Sequence, residues 1–264
     1  RGDATPSVAA VQTASVRPPY PRATATSFLG RSPSAAGRPR RRRLRAAGTS
    51  YPAEIKAIYT QVADGSVGPN ALALLARVLH LHGLADLADG LASGKPAPAA
   101  LDIMRRSDIG PLGVVTLVLT LLLQVAALSQ AESAGHGRGP AALIAAVVTG
   151  RLALTWACRR GVPAARPDGL GALVAGTVRP VVPAVATAVT LAAAAAAVAI
   201  SAAVTGGQLG WTLPLAVAAG LAAAFAMQRH AVRRLGGITG DVLGALAEIA
   251  TTVTLVVAAM GPPA

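Results

Sequence analysis

"PVVPAVATAVTLAAAAAAVAISAAV" (residues 180–204) contains no charged side chain. A helix crossing the hydrocarbon core of a bilayer needs about 20 largely apolar residues. Nothing in this stretch alternates as a half-buried strand would. Four more runs of the same kind follow from the chain: residues 111–129, 140–158, 211–228 and 241–260. A sixth, "ALALLARVLHLHGL" (71–84), is shorter and is interrupted by Arg77. The expectation is an all-α, multi-pass transmembrane helical bundle with five or six spans.

Composition agrees. Of 264 residues, 53% are hydrophobic, 13% charged and 3% aromatic. A water-soluble domain carries roughly 25% charged residues. Mean hydropathy is +0.54. The single cysteine, Cys158, excludes an internal disulfide framework.

The net charge of +13 is uneven. Residues 1–50 hold ten Arg against one Asp, whereas the rest is only mildly basic. Residues 1–50 are rich in Arg, Ser, Pro and Ala, with the dense run "GRPRRRRLR" (37–45), the chain opens on Arg1, and residues 53–66 are too polar to span a membrane, so residues 1–66 are read together. They are expected to be a disordered, aberrant or targeting N-terminal segment, with the membrane domain spanning 67–264. The arginine run lacks interleaved aromatics, so no nucleic-acid partner is expected.

Lys and Arg collect in cytoplasmic loops. Arg159, Arg160 and Arg166 follow the second strong span, and Arg229, Arg233 and Arg234 follow the fourth. The loops between carry at most one basic residue. This alternation places the region of residues 80–113 and the loop 229–241 at one face, the cytoplasmic one.

Two motif regions share that face. In "LHLHGLADLADG" (79–90), His82, Asp86 and Asp89 stand at i, i+4 and i+7, one stripe of a helix. Acids at a membrane-helix end usually face a polar cavity. This pair suits a hard cation such as Mg2+, and also suits a merely solvated helix end. His80 and His82 are two residues apart and do not face each other, which argues against zinc. "LDIMRRSDIGPLG" (101–113) follows, with Arg105 as membrane anchor or phosphate contact. The second region is "RRLGGITGDVLGALAEI" (233–249). Gly236, Gly237 and Gly240 form a turn that could cradle phosphate at a helix start. Asp241 could cap that helix, and Glu248 lies two turns on, an acid inside an apolar span. Acids for a metal, Arg for phosphate and a bilayer setting suggest phosphoalcohol transfer on an amphiphilic substrate.

In order and spacing, these motifs resemble the cobalamin synthase family, whose members are adenosylcobinamide-GDP ribazoletransferases. The resemblance covers about residues 71–259. It implies a multi-pass bacterial inner-membrane enzyme with its active site facing the cytoplasm, using Mg2+. Its substrates would be adenosylcobinamide-GDP and α-ribazole or its phosphate. It implies that Asp86, Asp89 and Asp241 bind metal or pyrophosphate, with Glu248 supporting. Gly236, Gly237, Thr239 and Gly240 would shape the second loop, and Arg105 and Ser107 would contact phosphate. The family pattern reads H-L-D-G-L-A-D where this chain has His82 in the third position, so an imidazole stands for a carboxylate as base. Three alternatives stay open: a CDP-alcohol-type membrane phosphotransferase, a truncated inactive paralogue, and a transporter, for which no internal repeat is seen. A homo-oligomer is compatible with the sequence.

Overall fold

The computed structural model describes residues 69–106, 108–135, 137–206, 209 and 211–260. The expectations for residues 1–66 and for Ser107 lie outside the described residues. All described residues belong to one unit, Tyr51–Ala264. Among them are eight helices and no strand: α1 (Pro69–Ala92), α2 (Ala97–Ile103), α3 (Pro111–Ser133), α4 (Arg138–Ala157), α5 (Gly169–Val174), α6 (Val181–Thr205), α7 (Thr212–Leu235) and α8 (Gly240–Ala259).

Five of these, α3, α4, α6, α7 and α8, are long and apolar enough to cross a membrane. They coincide with the five strong runs of the sequence. The sixth run became part of α1, which is 24 residues long but is not one of the five. Arg77, Asp86 and Asp89 keep its hydropathy down.

Helix starts and stops follow local chemistry. Pro111 opens α3 at a first-turn position that needs no N–H donor. Gly236 stops α7 with φ of 85°, a left-handed cap that glycine adopts freely. Thr239 caps α8, its Oγ1 accepting from the Val242 N–H.

α8 is the most deeply buried of the five long helices. It packs against α7, α4, α1 and α3. Lipid tails give no hydrophobic drive to helix association, so close backbone approach through small residues must supply dispersion contact. At Gly150 of α4, a Cβ would sit 2.7 Å from Thr251 Oγ1 and 3.1 Å from the Ala247 carbonyl. At Gly220 of α7, it would strike Thr254 Oγ1 and come within 2.8 Å of the Ala250 carbonyl. Thr251, Thr252 and Thr254 return their hydroxyls to the carbonyls four residues earlier, at 2.7–2.8 Å, so no donor is stranded. The outward faces of α3 and α6 expose Leu and Val, including Leu122, Val125, Val185 and Val189.

One ionic network lies in this core. Glu248 of α8 is 1% exposed. It pairs with Arg77 of α1 at 3.4 Å and accepts from Gln124 Nε2 of α3 at 3.0 Å. Arg77 donates to Gln124 Oε1, and Gln124 Nε2 also donates to Thr252 Oγ1 at 2.8 Å. Three helices are thus locked by one satisfied polar cluster. His80 stands 4.0 Å from Glu248 and 3.4 Å from Arg151. Burial first, then Arg151 and Arg77, hold its imidazole below the usual value.

Breaking one side of a buried pair costs more than replacing both. Arg77→Met alone should therefore lower the unfolding stability of purified protein, by at most the 3–5 kcal/mol typical of fully buried pairs, because Arg77 is partly exposed. Arg77→Met with Glu248→Leu should recover most of the loss. A double variant weaker than either single would contradict the network's role.

Candidate active site

Three connections meet at one end of the bundle: residues 93–110, residues 158–180 and the turn 236–239. They are joined by direct contacts. The Ile238 N–H donates to the Pro163 carbonyl at 2.9 Å, and the Ala165 N–H donates to the Ile238 carbonyl at 3.0 Å. Arg166 donates to the Leu101 carbonyl. Arg105 forks onto both oxygens of Asp168, each at 2.8 Å. The two motif regions therefore share one end, as the charge alternation predicted.

Asp86 and Asp241 sit where α1 crosses the start of α8. The crossing is tight because Gly83 rests against Asp241: a Cβ there would lie 2.7 Å from its carbonyl oxygen and 2.8 Å from its Cα. Asp86, one turn further along α1, is 5% exposed. Its Oδ2 lies 3.2 Å from His82 Nε2. Asp241 receives a bond from the Thr239 hydroxyl at 3.3 Å. Thr239 thus takes the capping role the sequence offered to Asp241, which leaves that carboxylate turned to the site.

Burial, more than any single charge, sets the electrostatics of the Asp86 carboxyl. Burial pushes the Asp86 carboxyl up to about 6, the nearby His82 and Arg166 work against the rise, and the Asp241 and Asp89 carboxylates add to it. Arg166 also acts on Asp241, Asp168 and Asp102. Its Nε is buried without a hydrogen-bond partner among the described residues. A buried guanidinium N–H left open beside two carboxylates is a natural donor to an anion that arrives with a cation.

The sequence-derived set is only partly assembled here. Asp89 keeps its place on the stripe but binds the start of α3, accepting from the Gly110 N–H at 2.7 Å and the Gly113 N–H at 2.9 Å. That is an anion on a helix N-terminus, and it fixes the 104–110 connection to α1. Glu248 belongs to the Arg77 network, two turns from Asp241. That is roughly 10 Å along the axis at 1.5 Å per residue. Among the described residues, no three His, Cys, Asp or Glu side chains gather as a metal site. Asp86 and Asp241 remain as a carboxylate pair. A pair suffices for a hard cation that completes its shell with water and substrate phosphate. His80 faces Glu248 while His82 faces Asp86, so the two histidines form no joint site.

The glycine turn serves packing more than anion binding. A Cβ on Gly237 would meet the backbone of residues 163–165, and Gly240 has only ordinary contact with Leu170. The N–H groups of Ile238 and Val242 are already committed within the protein. Sequence reading missed Arg166 and Asp168, which looked like loop charges. Only the fold brings Arg166 to the acids and Asp168 to Arg105 and Arg166. The spacing Arg105–Asp168 carries no sequence signal.

Comparison with known proteins identifies the family. The CobS family model, cobalamin-5-phosphate synthase, matches residues 57–259. A Frankia casuarinae protein named adenosylcobinamide-GDP ribazoletransferase is 46% identical over 199 residues, 75% of this chain and 71% of that one. Proteins of the same name from a Nocardioides species and from Sinorhizobium medicae are 38% and 33% identical. These alignments cover 74% and 70% of this chain, and 71% and 68% of theirs. No solved structure matches. A family match over most of the length, with relatives at 33–46% identity, leaves no place for the CDP-alcohol alternative: the chain belongs to the cobalamin-5-phosphate synthase family.

Proposed function

We infer that this chain is an adenosylcobinamide-GDP ribazoletransferase. It transfers the cobinamide phosphate of adenosylcobinamide-GDP to α-ribazole or its phosphate, forming adenosylcobalamin or its phosphate and GMP. The observation that carries the reading is the meeting of Asp86, His82 and Asp241 beside Arg166.

In this reading a ribazole hydroxyl attacks the phosphorus attached to the cobinamide arm. The phosphoanhydride bond to GMP breaks, and the hydroxyl proton leaves to His82. His82 stands where the family pattern has a carboxylate. Its imidazole is half exposed towards the site, and Asp86 at 3.2 Å holds its ring. Arg166, whose Nε has no hydrogen-bond partner among the described residues, would orient the phosphates. Asp86 and Asp241 would hold Mg2+. When bound, that ion neutralises charge on the pyrophosphate and on the departing GMP. Asp89 and Thr239 position the two connections without touching substrate. The dense Arg content of this end, including Arg105, Arg159, Arg166 and Arg233, supports placing it on the cytoplasmic side of a bacterial inner membrane.

Expression in a strain lacking its own enzyme, fed cobinamide, should restore corrinoid-dependent growth. Asp86→Asn and Asp241→Asn should abolish it, and His82→Asn should slow transfer about 10²–10⁴-fold, the span of a general base. Well-inserted chain that fails to restore growth would contradict the activity.

The Asp86 carboxyl provides a second test. Its folded value of about 6 exceeds the unfolded 3.8. The raised value stabilises metal-free protein most below the unfolded value, and that contribution is lost as pH rises through about 6. The protonated-carboxyl infrared band that Asp86→Asn deletes should appear as pH falls through that value. In Asp241→Asn the midpoint should move lower, because one like charge is gone. An unmoved midpoint would show that the two carboxylates do not interact.

A further inference from the structure

A second cavity system lies apart from the acids, between α4, α6 and α7. Its inner part is an apolar slot of about 300 Å³ lined by Ala153, Trp156, Thr187, Leu221, Phe225 and Gln228, among others. Its outer part, about 240 Å³, shares Phe225 and Gln228 and is lined by Arg159, Arg229 and Arg233 with no acidic residue. The slot lies within the spanning helices. The basic mouth lies at their ends, against residues 161–163.

The arginines are not equivalent. Arg159 is fixed: it donates to the Trp156 carbonyl at 2.9 Å and to Gln228 Oε1 at 3.0 Å. Its guanidinium also lies 5.8 Å from the Trp156 ring centre and 5.3 Å from that of Phe225. Arg229 and Arg233 stand at i and i+4 on α7, exposed. Neither has a hydrogen-bond or ion-pair partner among the described residues. The polar atoms of the slot are already spent. Trp156 Nε1 donates to Thr187 Oγ1 at 3.0 Å, and Gln228 Nε2 donates to the Ala157 carbonyl at 3.3 Å. The slot therefore has little polar capacity left for a heterocycle or a sugar, and Phe225 in its lining is an exposed residue of a candidate spanning helix.

We propose that this is a binding site for one anionic glycerophospholipid, with its phosphate on Arg229 and Arg233 and an acyl chain in the Trp156–Phe225 slot. Three cations without a carboxylate disfavour a zwitterionic headgroup, whose own cation would be repelled. A slot lined almost wholly by apolar surface fits a hydrocarbon chain better than a nucleoside. This site is independent of the transfer reaction and of the carboxylate pair.

The test uses the full chain in phosphatidylcholine vesicles, on a Trp211→Phe background, so that Trp156 is the remaining tryptophan. Phosphatidylglycerol or phosphatidylcholine with brominated chains is mixed in, and Trp156 quenching is read. Brominated phosphatidylglycerol should quench at several-fold lower mole fraction, since one arginine near an anionic surface contributes roughly fivefold in affinity. Arg229→Gln with Arg233→Gln should make the two lipids equal. Ala222→Phe, at an exposed position of the slot rim, should weaken quenching by both while helical circular dichroism is retained. Equal quenching in the unmodified site, or a preference that survives loss of both arginines, would overturn the proposal. So would shielding of Trp156 by soluble α-ribazole phosphate without any lipid preference, which would make the slot a nucleoside site.

Discussion

The crossing of α1 over the first turn of α8 is the constraint on which the site depends. Gly83 allows the two backbones to touch at Asp241. Any side chain larger than hydrogen would separate the helices, and with them Asp86 and Asp241. The crossing holds because α8 cannot retreat. It is enclosed by α7, α4, α1 and α3, with glycine contacts at positions 150 and 220 and self-satisfied threonines. In a bilayer, where helix association rests on close packing, a helix clamped this way is a rigid axis.

Along that axis α8 carries two acids with separate fates. Glu248, in depth, is neutralised by Arg77 and Gln124 and ties three helices together. Asp241, at the start of α8, shares its surroundings with the Asp86 carboxylate and the Arg166 guanidinium. The first arrangement is closed and structural. The second leaves two carboxylates from different helices close together, an arrangement that a divalent cation with a phosphate-bearing substrate would relieve. The same end of the bundle is densely basic, so anionic substrates meet a favourable field before they reach the acids.

Much of this was legible in the sequence. The five spans follow from hydrophobic length alone, and the shared face of the two motifs follows from the distribution of Arg. Helical spacing linked His82 to Asp86, and the structure joins them at 3.2 Å. Spacing could not reveal where each acid turns. Asp89 sits on the same stripe as Asp86, yet the start of α3 offers it two N–H groups and takes it. Glu248 shares a helical face with Asp241, but the partner helix beside it presents Arg77. Arg166 and Asp168 are brought to the site by the 158–180 connection, whose pairing with residues 236–239 has no periodic signature. Contacts of long sequence separation made by single polar residues are what a pattern along one chain leaves out.

On this reading Asp86 and Asp241, carried by different helices, act as one cation site. A double-mutant cycle on Mn2+ binding, read by electron paramagnetic resonance in reconstituted protein, tests it most directly. If the account holds, Asp86→Asn and Asp241→Asn each remove most of the binding and the double variant loses little more. Losses that simply add, or Mn2+ binding that survives both changes, would contradict it.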